Sequence, residues 1–276
     1  MTGAFDAWLG RVEEASDVVT ARSARQMAAT LEHSGDLAEG DALPPLWHWM
    51  GWTPEAAMSA LGPDGHPARG GFLPPVPLER RMWAGGRLEF LAPLRLGEVM
   101  HRRSEITNVA EKTGSTGRMV FVTVAHQISG AAGLAVREEQ DIVYVAMPDR
   151  FAPPPPVDAP AAIWSDAVSI DTVRLFRFSA LTFNAHRIHY DLPYATGVEK
   201  YPGLVVHGPL QAMLLMQAAC RRRGALPLRF RFRGVRPLFH FDTVRLQAQA
   251  EALGSQTLAS VNGEGLACMQ AQIGWA

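Results

Sequence analysis

The sequence contains little cysteine, little net charge and no long hydrophobic run. Cys220 and Cys268 are its two cysteines, and their spacing matches neither a disulfide framework nor a zinc-binding motif, which favours a reducing cytoplasm. The formal net charge of −1 over 276 residues excludes a global basic field that would attract nucleic acid or an anionic membrane. No stretch reaches the roughly 18 to 20 apolar residues of a spanning helix, and early acidic residues argue against an export signal. We therefore predict a cytoplasmic protein with no nucleic-acid partner and no membrane partner.

Prolines mark a boundary near the middle of the chain. The four consecutive prolines at 153–156 remove backbone donors and favour an extended segment that does not fit inside a helix or a sheet. We therefore predict a linker over 151–160 between an N-terminal domain, 1–150, and a C-terminal domain, 161–276. Each half shows a short helical region and a run of strands, which predicts α+β domains with one helix against an antiparallel sheet.

Hydrophobic periodicity predicts the individual elements. Helices are expected over 17–32, 54–61 and 210–222, and a strand is expected over 168–178. The other predicted strands are 82–91, 99–111, 118–129, 134–145, 228–237, 242–252, 257–263 and 266–274. Both halves therefore place most of their strands after their helices.

The side chains best suited to chemistry lie in a turn-rich segment ahead of the helix at 210–222. The stretch Asn-Ala-His-Arg-Ile-His-Tyr-Asp at 184–191 contains a carboxamide, two histidines and a carboxylate. A neutral histidine such as His189 is the usual general base near pH 7, and Asn184 could hold a water against it. Pro209 suits the first turn of a helix, so the Gly208 N–H would lie at the positive end of the helix dipole, where a thioester oxyanion is stabilised.

These motifs closely resemble those of the MaoC-like hot-dog hydratases. The stretch at 184–191 and Tyr-Pro-Gly-Leu-Val-Val-His-Gly-Pro-Leu at 201–210 carry the resemblance. It is closest to the branch of type 2 hydroxyacyl-thioester dehydratases and bacterial mesaconyl-C4-CoA (3-methylfumaryl-CoA) hydratases. The resemblance implies two fused hot-dog domains, each an antiparallel sheet wrapped around a central helix, of which the first is degenerate and the second catalytic.

The same resemblance implies a function. It implies reversible, R-specific hydration of a short enoyl-CoA by a hydro-lyase, with mesaconyl-C4-CoA as the expected acyl-CoA substrate. No cofactor is expected beyond the coenzyme A of the substrate, and the expected assembly is a homodimer.

Three residues take roles from the family by position. His189 matches the histidine that exchanges a proton with the water, and Gly208 matches the glycine whose N–H holds the thioester carbonyl. The family's carboxylate, five positions before that histidine, falls on Asn184. Because asparagine is neither an acid nor a base, the resemblance implies that His189 carries the proton transfers while Asn184 positions the water.

Four further residues are substrate-binding candidates with plain structural alternatives. His186 could contact substrate, could bind a metal together with His189 and Asp191, or could be structural; we expect no metal. His207 could contact substrate or could only position the start of the helix. Arg231 and Arg233 could bind CoA phosphates or a substrate carboxylate, but the chain has two lysines among its 26 basic residues, so any single arginine is weak evidence.

Three other functions compete with the expected one. A general R-specific 3-hydroxyacyl-thioester dehydratase would lack a basic residue at the end of the acyl pocket, whereas a dicarboxylic acyl group needs one because a buried unpaired carboxylate is costly. A non-catalytic acyl-CoA-binding hot-dog protein would not need Asn184, His189 and Gly208 together. A thioesterase would usually need an acidic residue or a nucleophile along the central helix, and 210–222 contains no Asp or Glu.

Overall fold

The two halves of the chain repeat one order of elements: a short strand, a helix, and later four strands. The computed structural model describes residues 5–114 and 117–275. The N-terminal half contains β1 (Val12–Asp17), α1 (Ala21–Leu31), β2 (Arg80–Phe90), β3 (Met100–Gly114), β4 (Gly117–Gly130) and β5 (Gly133–Val145). The C-terminal half contains β6 (Trp164–Val168), α2 (Thr172–Leu181), α3 (Leu192–Gly197), α4 (Gly208–Arg223), β7 (Arg229–Gly234), β8 (Val244–Ala248), β9 (Ser255–Val261) and β10 (Ala267–Gly274).

The strands of the described residues form one antiparallel sheet. Its order is β1-β3-β4-β5-β2-β7-β10-β9-β8-β6, so the two halves meet where β2 pairs with β7. That pairing runs from Gly85 opposite Arg233 to Glu89 opposite Arg229. It covers a strand edge that each half would otherwise expose to solvent.

The long helix α4 is the centre of the core. Nearly all of its side chains before the terminal arginines are buried, and it packs against β8, β9 and β10 and against β2 of the other half. Pro209 lies in its first turn, and Gly224 ends it in the left-handed conformation (φ 67°) that glycine adopts without strain. The C-terminal half is therefore an antiparallel sheet around a buried helix, as the sequence predicts.

The N-terminal half has no equivalent of α4 among its described residues. Helix α1 presents Ala24, Met27 and Leu31 to the core, but residues 51–79 then run mostly without regular structure. The helix predicted over 54–61 is wrong: only the short 3₁₀ turn Met58–Ala60 forms there, and Met58 is 84% exposed. A segment of this length that buries no apolar face is not stable as an α-helix.

Most other element predictions agree with the structure. Helices are present where they are expected over 17–32 and 210–222, and so are the eight strands expected apart from 168–178. Strands β1 and β6 are additional to the predicted ones. The strand expected over 168–178 is wrong, because α2 occupies most of it: Asp171 caps its N-terminus, and Leu175 and Phe178 are buried one turn apart. Its β-branched and aromatic residues favoured a strand locally, and tertiary packing overrode that preference.

The segment 151–160 is extended and contains no helix or long strand. The sheet nevertheless continues from one half to the other, so the division into two domains stays a prediction. None of the described helices combines the length and the apolar character needed to cross a membrane.

Candidate active site

A cavity of about 1520 Å³ lies between the two halves. Pairing of β2 with β7 stops at Gly85 and Arg233. The residues beyond that point line the cavity: 80–84 on β2, and 234–237, which run from the last residue of β7 into the following loop. The rest of its lining includes 61–63 and 65–67 from the N-terminal half and 182–190 from the C-terminal half. Small-molecule sites are typically about 300–1,000 Å³, so this cavity can take a long ligand that touches both halves.

His189 is a buried, neutral base beside this cavity. Its Nδ1 lies 2.7 Å from the carbonyl oxygen of Val205, and because a carbonyl only accepts, Nδ1 carries the proton and Nε2 carries the lone pair. Burial, together with His207 and His186, holds the pKa of His189 well below 6.5. The ring is therefore uncharged near pH 7 and can take a proton at Nε2.

His207 packs against the ring of His189. The two rings stack with centroids 3.7 Å apart, and His207 Nε2 lies 2.8 Å from the Ser179 hydroxyl. His207 is fully buried, does not line the cavity, and has a pKa that burial lowers to about 3. Substrate binding by His207 is therefore not supported, and the structure agrees with the alternative in which this residue positions its neighbours.

Asn184 and Gly208 lie in the cavity lining with His189. The Asn184 side-chain oxygen accepts the His186 backbone N–H at 3.0 Å, which fixes the amide orientation. Gly208 begins α4, where backbone N–H groups have no partner within the helix. A Cβ at Gly208 would find its nearest atoms, Met269 Cε and Trp83 O, at 3.9 Å, so a substrate atom has room to approach.

His186 is held by a buried ion pair. Its Nε2 lies 3.0 Å from Glu199 Oε1, while Arg80 Nε from the N-terminal half lies 3.1 Å from the other Glu199 oxygen. Arg80 also contacts the Tyr201 hydroxyl. His186 lines the cavity, as expected for a substrate contact, but this ring nitrogen is committed to Glu199.

The N-terminal half contributes Asp64 and His66, which sequence reasoning missed. Asp64 accepts from the His66 backbone at 3.0 Å and lies 3.0 Å from His66 Nδ1. Gly65 lies so close to Ala185 that an added Cβ would sit 1.9 Å from its carbonyl oxygen. One sequence signal could have indicated this turn: Asp64, Gly65 and His66 lie in a Gly/Pro-rich loop, and an aspartate side chain often hydrogen-bonds the backbone two residues on.

One group among residues 5–114 and 117–275 could approach a common metal ion. Ligand atoms of Asp64, His66 and His186 lie within 4.8 Å of one another, but His66 already bonds Asp64, and His186 bonds Glu199. The alternative set with His189 is not assembled, because Asp191 caps α3 and pairs with Arg187 instead.

Arg231 and Arg233 lie outside the cavity. Strict alternation along β7 buries Phe230 and Phe232 and exposes the arginines on the opposite face of the sheet. Their expected contact with substrate is therefore not supported by the structure.

Comparison with solved structures shows the fold class. The chain is similar to a Mycobacterium tuberculosis protein described as having a double hotdog fold, with a TM-score of 0.59 and 15% identity over 96% of this chain and 95% of that one. The chain is thus an α+β protein of two fused hot-dog units, and the predicted fold class is confirmed.

Comparison with known sequences shows the family. The family model for hydroxyacyl-thioester dehydratase type 2 matches residues 46–240. The chain is 48% identical to the mesaconyl-C(4)-CoA hydratase of Chloroflexus aurantiacus over 88% of each protein. It is 26% identical to the mitochondrial hydroxyacyl-thioester dehydratase type 2 of Schizosaccharomyces pombe over 74% of this chain and 77% of that protein.

These matches assign the chain to an enzyme class and to a family. The chain is a hydro-lyase, as the sequence predicts. It belongs to the hydroxyacyl-thioester dehydratase type 2 family.

Proposed function

We propose that this protein catalyses the reversible hydration of mesaconyl-C4-CoA. One observation carries the chemistry: the Nδ1 proton of His189 is committed to the Val205 carbonyl, which leaves the Nε2 lone pair for a water. Asn184 and the Gly208 N–H lie in the lining of the same cavity. The identity with the Chloroflexus protein of that name supports the choice of acyl group.

The proposed reaction uses His189 twice. Its Nε2 takes a proton from water as the water oxygen bonds to the β carbon. The electrons of the double bond move toward the thioester oxygen, where the Gly208 N–H stabilises the developing negative charge. His189 then returns the proton to the α carbon, so the enzyme ends the cycle unchanged, and Asn184 only positions the water.

A dicarboxylic acyl group needs a positive partner inside the cavity. Two of the arginines that line it are already paired, Arg80 with Glu199 and Arg187 with Asp191. Arg150 is exposed, and Arg236 donates to the Pro154 carbonyl at 3.1 Å.

Arg81 is the remaining arginine of the cavity lining. It is half-buried, forms no ion pair with any carboxylate of the described residues, and acts electrostatically on His66. In mesaconyl-C4-CoA the free carboxylate is attached to the carbon that water attacks, so its partner must lie near the water. Arg81 lines the same cavity and its charge acts on His66, so it is our candidate for that partner and favours the dicarboxylic substrate over a plain enoyl-CoA.

The test of this function is loss of the ultraviolet absorbance of the conjugated thioester. Purified protein is expected to hydrate mesaconyl-C4-CoA faster than crotonyl-CoA. A preference for crotonyl-CoA would move the protein to the general 3-hydroxyacyl-thioester dehydratases. Hydration of neither would favour a non-catalytic acyl-CoA-binding protein, and release of free CoA would indicate a thioesterase.

Replacing Arg81 by methionine is expected to raise KM for mesaconyl-C4-CoA about 10- to 100-fold, because a hydrogen-bonded charge pair is lost. The KM for crotonyl-CoA, which has no second carboxylate, is expected to stay the same. Arg233→Met, on the outer face of the sheet, is the matched control and should change neither value. Equal losses with both substrates would contradict the assignment of Arg81 to the carboxylate.

We also propose that the enzyme works in the cytoplasm as a homodimer, with acyl-CoA as its partner and no cofactor beyond the CoA of the substrate. Two free cysteines, Cys220 and Cys268, support a reducing compartment. Sedimentation of the purified chain tests the dimer.

A further inference from the structure

A second imidazole in the cavity lining comes from the N-terminal half. The His66 ring lies 4.3 Å from the His186 ring, and the His186 ring lies 5.4 Å from the His189 ring. His66 and His189 both line the cavity. The structure thus brings a histidine of the N-terminal half into the same cavity as the base of the C-terminal half, close enough for its charge to act on His189.

Asp64 fixes the protonation of His66. Burial raises the pKa of Asp64, but the hydrogen bond and charge of His66 lower it more strongly, to about 2, so the group is a carboxylate that can only accept. His66 Nδ1 therefore donates to it. Burial lowers the pKa of His66 to about 4, and the ring is uncharged near pH 7.

The other ring nitrogen of His66 is a free acceptor. No described residue hydrogen-bonds to Nε2, and the side chain keeps 23% of its surface exposed. His66 and His189 thus share one arrangement: Nδ1 bonds to a protein oxygen, and Nε2 carries a lone pair.

A water whose two hydrogens are both held presents its attacking lone pair in a fixed direction, which lowers the entropic cost of the attack. His189 Nε2 accepts one of these hydrogens. The Asn184 oxygen already accepts the His186 N–H with one lone pair, so only its second lone pair is open to the other hydrogen. The Asn184 amide N–H can instead donate to the water oxygen, which leaves one hydrogen without an acceptor and one lone pair directed at the substrate.

We propose that His66 is a further catalytic residue, whose Nε2 accepts the second hydrogen of the attacking water. The inference rests on the proposed hydration. His66 takes no proton: the proton that leaves the water goes to His189 and then to the α carbon, and the hydrogen held by His66 stays on the oxygen as the new hydroxyl. Asp64 is a positioning residue, because it acts by keeping the His66 lone pair at Nε2.

Two replacements of His66 separate this role from a structural one. Asparagine can keep the Nδ1-type donor to Asp64 but has no acceptor at the Nε2 position, whereas glutamine places its amide near that position. His66→Asn is expected to lower kcat for hydration about 100-fold with little change in KM, and His66→Gln to retain more activity. His101→Asn, which alters an exposed histidine bonded to Ser16, is the matched control and should leave kcat unchanged.

A second measurement tests only the proton transfer at the α carbon. Exchange of the α hydrogen for deuterium in the saturated analogue of the substrate needs His189 and Gly208 but no attacking water. We expect His66→Asn to retain this exchange while it loses hydration. Loss of both activities together, or hydration at the wild-type rate, would overturn the inference.

The substrate in these assays is the enoyl-CoA that the wild-type protein hydrates fastest. If the wild-type protein hydrates this substrate and His66→Asn hydrates it at the same rate, the role of His66 is overturned and the proposed function stands. Absence of wild-type hydration with every enoyl-CoA overturns both.

Discussion

Replacing His189 by asparagine is expected to lower kcat for hydration by about 10³-fold or more. General acid–base groups typically contribute 10²- to 10⁴-fold, and here one histidine is assigned both proton transfers. Asparagine can still donate to the Val205 carbonyl, so the buried loop keeps its hydrogen bond while the Nε2 lone pair is lost. Stopped-flow absorbance of the conjugated thioester measures the loss, and an unchanged urea midpoint shows that the variant is folded.

The pH profile gives an independent check on His189. Its pKa in the folded protein lies well below 6.5, so the active neutral form persists as pH falls through that value. We expect kcat/KM to stay flat through pH 6.5 and to decline only at lower pH. Undiminished turnover by His189→Asn, or a decline centred at pH 6.5, would contradict the role given to this histidine.

Replacing Glu199 by alanine is expected to lower the free energy of unfolding by about 3–5 kcal/mol, because it leaves a buried charge without a partner. Glu199 is 2% exposed, and it bonds both Arg80 and His186. Urea unfolding with a constant m-value measures the change.

Two further variants test the reason for that loss. Arg80→Met combined with Glu199→Leu removes both charges together and is expected to destabilise less than Glu199→Ala alone. Glu111→Ala breaks an exposed pair with Arg118 and is expected to change stability by less than about 1 kcal/mol. Wild-type stability of Glu199→Ala would show that the buried pair does not hold the two halves together.

The part of the site on the C-terminal half could be predicted because its residues are close in sequence. Asn184 and His189 lie on one loop, and Gly208 begins the helix that follows. Alternation and turn residues likewise located the long strands. Local patterns of this kind predict the structure well because the spacing of the apolar residues sets which face of each element is buried.

The remaining features depend on contacts between distant parts of the chain. Nothing local indicates that Asp64 and His66 meet His186, or that β2 pairs with β7. Arg231 and Arg233 were misplaced because alternation shows that two faces exist but not which face lines a cavity. Helix α2 was missed for a similar reason, since its burial depends on neighbours from both halves.

The joining of two unequal halves around one cavity has a consequence for how the active site can change. In a pair of identical subunits related by a two-fold axis, every substitution appears on both sides of each interface. Here one gene segment encodes the base and the oxyanion donor, and another encodes residues 61–67 and Arg81. A lineage can therefore change Arg81, and with it the acyl-group selectivity, in the N-terminal segment while His189 and Gly208 in the C-terminal segment stay unchanged.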